Sequence, residues 1–358
     1  MASYSVYPLS PQPRGVAARL QEVFDNVQTV VMRRGQGHGQ GSRWRNDEAL
    51  QQALNNVKAG SQALAMSCSK LALLLPKAPA PEVLGSLLEE LVANTDAIMV
   101  VYSQFVDCSV SKPLFDMVSS LVRSQLGRSK EFMDLAASAS PDFGEISNSA
   151  GVIFKLYDQV QTLPMTNKAA YRRYLMERLA ILNDTISEFT RYVAVAREEG
   201  GSALLRQQGD DEDEEDDEPY TVEEVATVEA CLRSIKCSTQ MLKLALAAMT
   251  HVADLITPST SSSSVAESER EACDAWVAEL YGLARRTEDN VTDLGAELYA
   301  PFDMQNISEY HAALGATLQE LIATLRRPAF ASRLSPQFVA ELDELDISRL
   351  ALSLAAVL

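Results

Sequence analysis

From Val16 onward, apolar residues recur three and four positions apart, and no stretch alternates apolar with polar residues around a hairpin turn. That period puts the apolar side chains on one side of a helix, and such a helix must bury that side against a neighbour. The first row is Val16, Leu20, Val23, Phe24, Val27, Val30 and Val31, on a helix that starts near Gly15 and stops at Gly35. A second runs from Asn46, a good N-cap, to Leu75 before Pro76, with Leu50, Leu54, Val57, Leu64, Cys68, Leu71 and Leu75 inward. Val83, Leu84, Leu87, Leu88, Leu91, Ile98, Tyr102 and Phe105 mark a third, from Pro81 to Cys108. A fourth starts beyond Ser111 on Leu114, Phe115, Val118, Leu121, Val122, Leu126, Phe132 and Leu135, and Pro141 closes it. A shorter helix from Phe143 to Thr162 leads to Pro164. Asn167 then opens a long one reaching Glu198, with Tyr171, Tyr174, Leu175, Leu179, Leu182, Ile186, Phe189 and Val193 on its inner side.

Nine consecutive acidic residues, Asp210–Glu218, follow. Adjacent like charges repel, and the run has no apolar residue to offset the entropy of ordering it, so it reads as a disordered acidic loop and a domain boundary. Beyond it, Thr221 and Glu224 have the spacing of a capping box, and Ser264 and Glu267 repeat it. Helices are expected from Thr221 to about Ile256, from Ser264 to before Pro301, from Asp303 to Arg326, and from Ser335 and Pro336 to the C-terminus. The fold class is therefore all-α: two antiparallel bundles of long helices. The expected domains are a flexible tail at 1–14, an N-terminal bundle at 15–200, an acidic linker at 201–220 and a C-terminal bundle at 221–358.

The acidic run supplies half of the formal net charge of −18 on a chain of 358 residues. The basic pairs Arg33–Arg34 and Arg43–Arg45 are too short to form a phosphate-gripping stripe, which argues against direct nucleic-acid binding. Met1–Pro13 lacks the basic start and apolar core of a signal peptide, so cytoplasmic and nuclear residence is expected. No segment reads as a membrane span; the most apolar one, Val83–Val106, is interrupted by Glu89, Glu90 and Asp96. Cys68, Cys108, Cys231, Cys237 and Cys273 are odd in number and lack C-x-x-C spacing, which fits reduced, mostly buried thiols.

Parts for catalysis are scarce. His38 falls in the glycine-rich stretch Gly35–Ser42, which has no strand before it and no Gly-Lys-Ser/Thr after it and so reads as a linker. His251 and His311 lie on helices without the Glu-x-x-His pairs of di-metal bundles. The sequence offers no nucleophile elbow, Walker loop or dinucleotide fingerprint. No residue is assigned a catalytic, cofactor-binding or metal-binding role, and no cofactor is expected. Thr257–Ser264, followed by Glu267 and Glu269, suits an acidophilic kinase or a plain linker.

Several short stretches in order resemble the cyclin-D-binding protein family, also called GCIP. They are Lys70–Pro76 (KLALLLP), Val100-Val101-Tyr102, Asn167-Lys168-Ala169-Ala170, the acidic run, Cys231-Leu232 and Leu298-Tyr299-Ala300-Pro301. The similarity covers about Asp47 to the C-terminus. It implies two helical bundles and a non-enzymatic protein that binds D-type cyclin and adaptor or helix-loop-helix factors and restrains cell-cycle progression. The family brings no catalytic residues, and a helix pair without a basic region has nothing to reach DNA with. A homodimer through a helix pair stays open. The rival readings are a scaffold of the vinculin and α-catenin type, at the cytoskeleton or junctions, and a helical-bundle enzyme.

Deleting Asp210–Glu218 is expected to shift the thermal midpoint by less than about 4 °C, the equivalent of about 1 kcal/mol in a domain of this size. A larger loss in differential scanning calorimetry means that the run packs on a basic surface.

Overall fold

The computed structural model describes residues 13–35, 48–108, 110–138, 141–198, 220–256, 267–327 and 336–344, which form ten α-helices and no strand. They are α1 Pro13–Gly35, α2 Glu48–Leu74, α3 Pro81–Asp107, α4 Lys112–Ala136, α5 Phe143–Gln161, α6 Asn167–Glu198, α7 Val222–Ile256, α8 Glu267–Ala296, α9 Met304–Leu325 and α10 Pro336–Glu344. The molecule is all-α, as the period of its apolar residues requires.

Their ends follow local chemistry. Asp142 and Asp303 cap α5 and α9, each carboxylate accepting from two backbone amides of the first turn. Thr166 Oγ1 accepts from the Ala169 amide at the start of α6. The capping box read at α7 is present: the Thr221 amide donates to Glu224 and the Glu224 amide donates to Thr221 Oγ1. Its proposed counterpart at Ser264 lies outside the described residues. Between α2 and α3, a 3-10 turn at Leu75–Lys77 ends on Ala78, whose φ of 45° is left-handed and disfavoured for a residue with a Cβ.

The chain divides into two compact units, Met1–Ala170 and Tyr171–Leu358. In the first, α1 packs on α3 and α4, α2 packs on α3 and α5, and α4 packs on α5. Phe24 lies beside Gly127, and Arg123 donates to Gln28, so α1 and α4 are antiparallel. The core holds Leu20, Leu54, Leu64, Leu91, Phe105 and Phe132, all fully buried. The inward rows match the sequence reading with one exception, Val83, which is 47% exposed. The buried row of α3 passes through Gly85, and Val83, two residues away, sits about 200° around the helix.

In the second unit α8 and α9 are antiparallel, with Trp276 opposite Thr324, Arg286 opposite Glu320 and Asn290 opposite Thr317. The α7 helix packs on both. Residues 171–198 of α6 find their partners here: Tyr174 stacks near Tyr281, Arg178 Nε donates to Glu288 at 2.6 Å, and Phe189 meets Tyr299. Arg197, one residue before α6 ends, pairs with Glu229 on α7. Just before α7, Tyr220 packs on Tyr192 and Phe302 and donates to the Leu298 carbonyl. The sequence placed the division at 201–220; the contacts place it within α6, after its first turn. The run 210–218 itself, residues 1–12 of the tail and residues 36–42 of the glycine-rich stretch lie outside the described residues, while Pro13 and Arg14, read as tail, open α1.

At Gly60 α2 lies tightly against α3: an added Cβ would stand 3.3 Å from Ile98 Cγ1 and 3.4 Å from Val101 Cγ2. Gly60→Val adds two methyl groups to that contact and should lower stability by about 1–3 kcal/mol. Gly60→Ala sets a helix-propensity gain of about 1 kcal/mol against the crowding and should be close to neutral in urea denaturation.

Candidate functional site

The search for reactive groups begins with the histidines. His38 lies outside the described residues, and His251 is exposed on α7. His311 of α9 is buried, and its Nε2 lies 2.7 Å from Ser234 Oγ on α7. A Ser–His contact of that length is the first part of a nucleophile and base, which also needs a group to orient the imidazole and room for a substrate. Burial is the sole cause of the lowered pKa of His311, with no carboxylate behind it, so the pair reads as a buried hydrogen bond joining α7 to α9. All five cysteines are thiols. Burial pushes Cys68 and Cys231 up to about 12 and Cys237 and Cys273 up to about 11, which keeps them protonated and unreactive. Among the described residues no group of three or more His, Cys, Asp or Glu side chains is placed to hold a metal ion.

A surface feature is better defined. Contacts set α2 and α3 in antiparallel register: Asn56 opposite Gln104, Gly60 opposite Ile98 and Val101, Ser67 opposite Asn94, and Lys70 opposite Glu90. That register brings the outward positions of the two helices into one face. On α2 it carries Ala59, Gln62, Ala63 and Met66, and on α3 Ala93, Asn94, Ala97, Val100 and Val101, without a charge among them. Met66 is 46% exposed and Val100 57%, and Leu73, at 69%, extends the row on α2. Solitary exposed apolar residues are ordinary, but here they gather on two helices whose small neighbours let another helix come close.

One end of this face is held by a polar cluster. Lys70 Nζ lies 2.7 Å from Glu90 Oε1, Ser67 Oγ donates to the same oxygen at 2.9 Å, and Asn94 Nδ2 donates to Ser67 Oγ at 2.8 Å. The bond from Lys70 holds the Glu90 carboxyl below the usual carboxylate range. Beneath the face, Ser61 and Gln125 exchange two hydrogen bonds, of 2.7 and 2.9 Å, that fix α2 against α4.

Residues 56–194 match the family model described as Grap2 and cyclin-D-interacting, N-terminal. This segment is similar to the N-terminal domain of the cyclin-D-binding, or GCIP, family. The GCIP match begins inside α2 and ends inside α6, so it takes in the whole of α3 and the α2/α3 face and stops short of the acidic run. No curated protein matches the chain.

Three of the GCIP-like stretches fall within the matched segment, and the structure assigns work to each. Lys70 of KLALLLP holds Glu90. Val100-Val101-Tyr102 presents Val100 outward, places Val101 against Gly60, and buries Tyr102, whose hydroxyl lies 2.8 Å from Ser119 Oγ. Asn167 of the Asn-Lys-Ala-Ala stretch is buried and accepts from the Ser111 amide at 2.7 Å, tying the start of α6 to the start of α4. Sequence reasoning did not single out Met66, Leu73 or Val100 as surface groups. The available signal was an apolar surplus: Val100 adjoins Val101 and Tyr102, and one helix side cannot bury three neighbours in a row.

A buried neutral His311 makes stability depend on pH. Its folded pKa lies below the ordinary 6.5, so the unfolded chain binds the proton more readily. The contribution is complete above pH 6.5 and is lost as pH falls below it toward the folded value. Wild-type protein should lose stability as pH falls below the ordinary histidine value of 6.5 in urea titrations. His311→Gln, which keeps a hydrogen-bonding partner for Ser234, should flatten that slope.

Proposed function

We propose that the chain is a non-enzymatic regulatory protein that binds helical segments of D-type cyclin-like, adaptor or helix-loop-helix partners through the α2/α3 face. In this reading it restrains cell-cycle progression in the cytoplasm and nucleus. The observation that carries it is the match of residues 56–194 to a cyclin-D-interacting domain, on the part of the chain that presents this face. The physics supports a helix as the occupant. An amphipathic helix buries its apolar side in a shallow apolar strip, and small residues such as Ala59, Ala93 and Ala97 let two backbones approach. Met66 and Val100 are the exposed side chains large enough to act as central contacts.

The test is capture of a D-type cyclin by the full chain, with Met66→Glu and Val100→Glu combined in a variant. Both positions are exposed, so the variant should keep its helical content and melting point while retaining less than about a tenth of the cyclin binding of wild type. Expression of wild type, but not the variant, should then slow entry of dividing cells into DNA synthesis. Absence of cyclin capture by well-folded protein at micromolar concentration removes the cyclin assignment, and co-sedimentation with actin filaments in its place favours the scaffold.

A further inference from the structure

The second unit carries a basic face that the cyclin-binding reading does not use. Most of the surface of α7 is buried, and its outward row between Arg233 and Lys243 is Arg233, Lys236, Gln240 and Lys243, all exposed. The spacing of three, four and three residues keeps them on one line about 15 Å long. On α4, by contrast, three of the four cations have acidic partners: Lys112 pairs with Asp116, Arg128 with Glu131 and Lys130 with Asp134. Among the described residues Arg233, Lys236 and Lys243 have no ion pair. The carboxylate nearest along the same side, Glu229, is engaged by Arg197. Half-buried Cys237 and Leu246, with exposed Ala247, flank the row and add an apolar margin.

We propose that this face of α7 is a docking surface for an acidic segment of a protein partner. Three unpaired cations in line are complementary to carboxylates at the same helical spacing, the arrangement by which charged flanking positions select partner helices. The wider field of the chain narrows the choice of anion. A net charge of −18 repels a long polyanion such as nucleic acid at a distance. A short acidic segment held within about 8 Å of the row is screened from most of that charge and responds to the local cations. The stripe lies outside residues 56–194, and none of its residues belongs to the α2/α3 face.

The experiment uses the full chain and a fluorescently labelled polyglutamate peptide of about 12 residues, long enough to follow the row as helix or strand. Binding measured by anisotropy should fall several-fold between about 50 and 300 mM salt. Combining Arg233→Gln, Lys236→Gln and Lys243→Gln should weaken it at least about tenfold. These positions are exposed, so circular dichroism and the melting point should not change, and Arg233→Lys alone should retain most of the binding. Three results overturn the proposal: no binding, or binding indifferent to the triple substitution; equal binding of an oligonucleotide of the same charge; or peptide binding only after Asp210–Glu218 is replaced by Asn and Gln, which makes the chain's own acidic run the occupant.

Discussion

A helix of 20 to 30 residues is marginal in water on its own, because the cost of nucleating it is recovered only slowly by propagation and, in proteins, mainly by burying an apolar side. Each helix described here has such a side, so the register in which the rows meet sets everything built on them. In the first unit that register is specified by a few contacts of high selectivity. Gly60 lets α2 lie against Ile98 and Val101 of α3, and the paired hydrogen bonds of Ser61 and Gln125 admit only one alignment of α2 with α4. A shift by one turn would leave those polar groups buried without partners, at a cost of about 1–3 kcal/mol for each. The α2/α3 face depends on this alignment, since Met66 and Val100 share a surface only in it.

Buried polar contacts of the same kind recur at other helix junctions. Tyr102 meets Ser119 between α3 and α4, Asn167 meets the Ser111 amide between α6 and α4, and Ser234 meets His311 between α7 and α9. Apolar rows alone tolerate sliding, whereas a hydrogen bond in a low-dielectric interior has a definite address. The GCIP-like stretches Val100-Val101-Tyr102 and Asn167-Lys168-Ala169-Ala170 contain two of these groups. Their place in the family pattern thus has a structural basis alongside any role in partner binding.

The helices were legible in the sequence because their signals are local. The period of the apolar residues, Pro81 at the start of α3, Asp303 and the Thr221–Glu224 box all act within a turn or two of where they stand, and α6 runs from Asn167 to Glu198 as its row indicates. The division into units was harder to read because it depends on which rows meet. The acidic run is the sharpest break in composition, yet the helices on either side of it, α6 from Tyr171 and α7, belong to one unit. The aromatic row of α6 had no visible address until Tyr281 and Tyr299 supplied it. Val83 was misplaced for a related reason: period identifies an apolar side only where the row is clean, and the first turn of α3 has apolar residues on both sides. The α2/α3 face and the α7 stripe are products of assembly, made of residues unremarkable one at a time.

The contact of Arg197 with Glu229, together with the seating of Tyr220 against Tyr192, brings the end of α6 and the start of α7 together irrespective of what joins them. For a connection whose ends are already held, each doubling of its length adds only about 0.6 kcal/mol of closure entropy. The span from 199 to 219 is therefore a place where evolution, or an engineer, can lengthen, shorten or recode the chain at small thermodynamic cost. Residues elsewhere that bind partners enjoy no such latitude, because there the geometry and the chemistry reside in the same side chains.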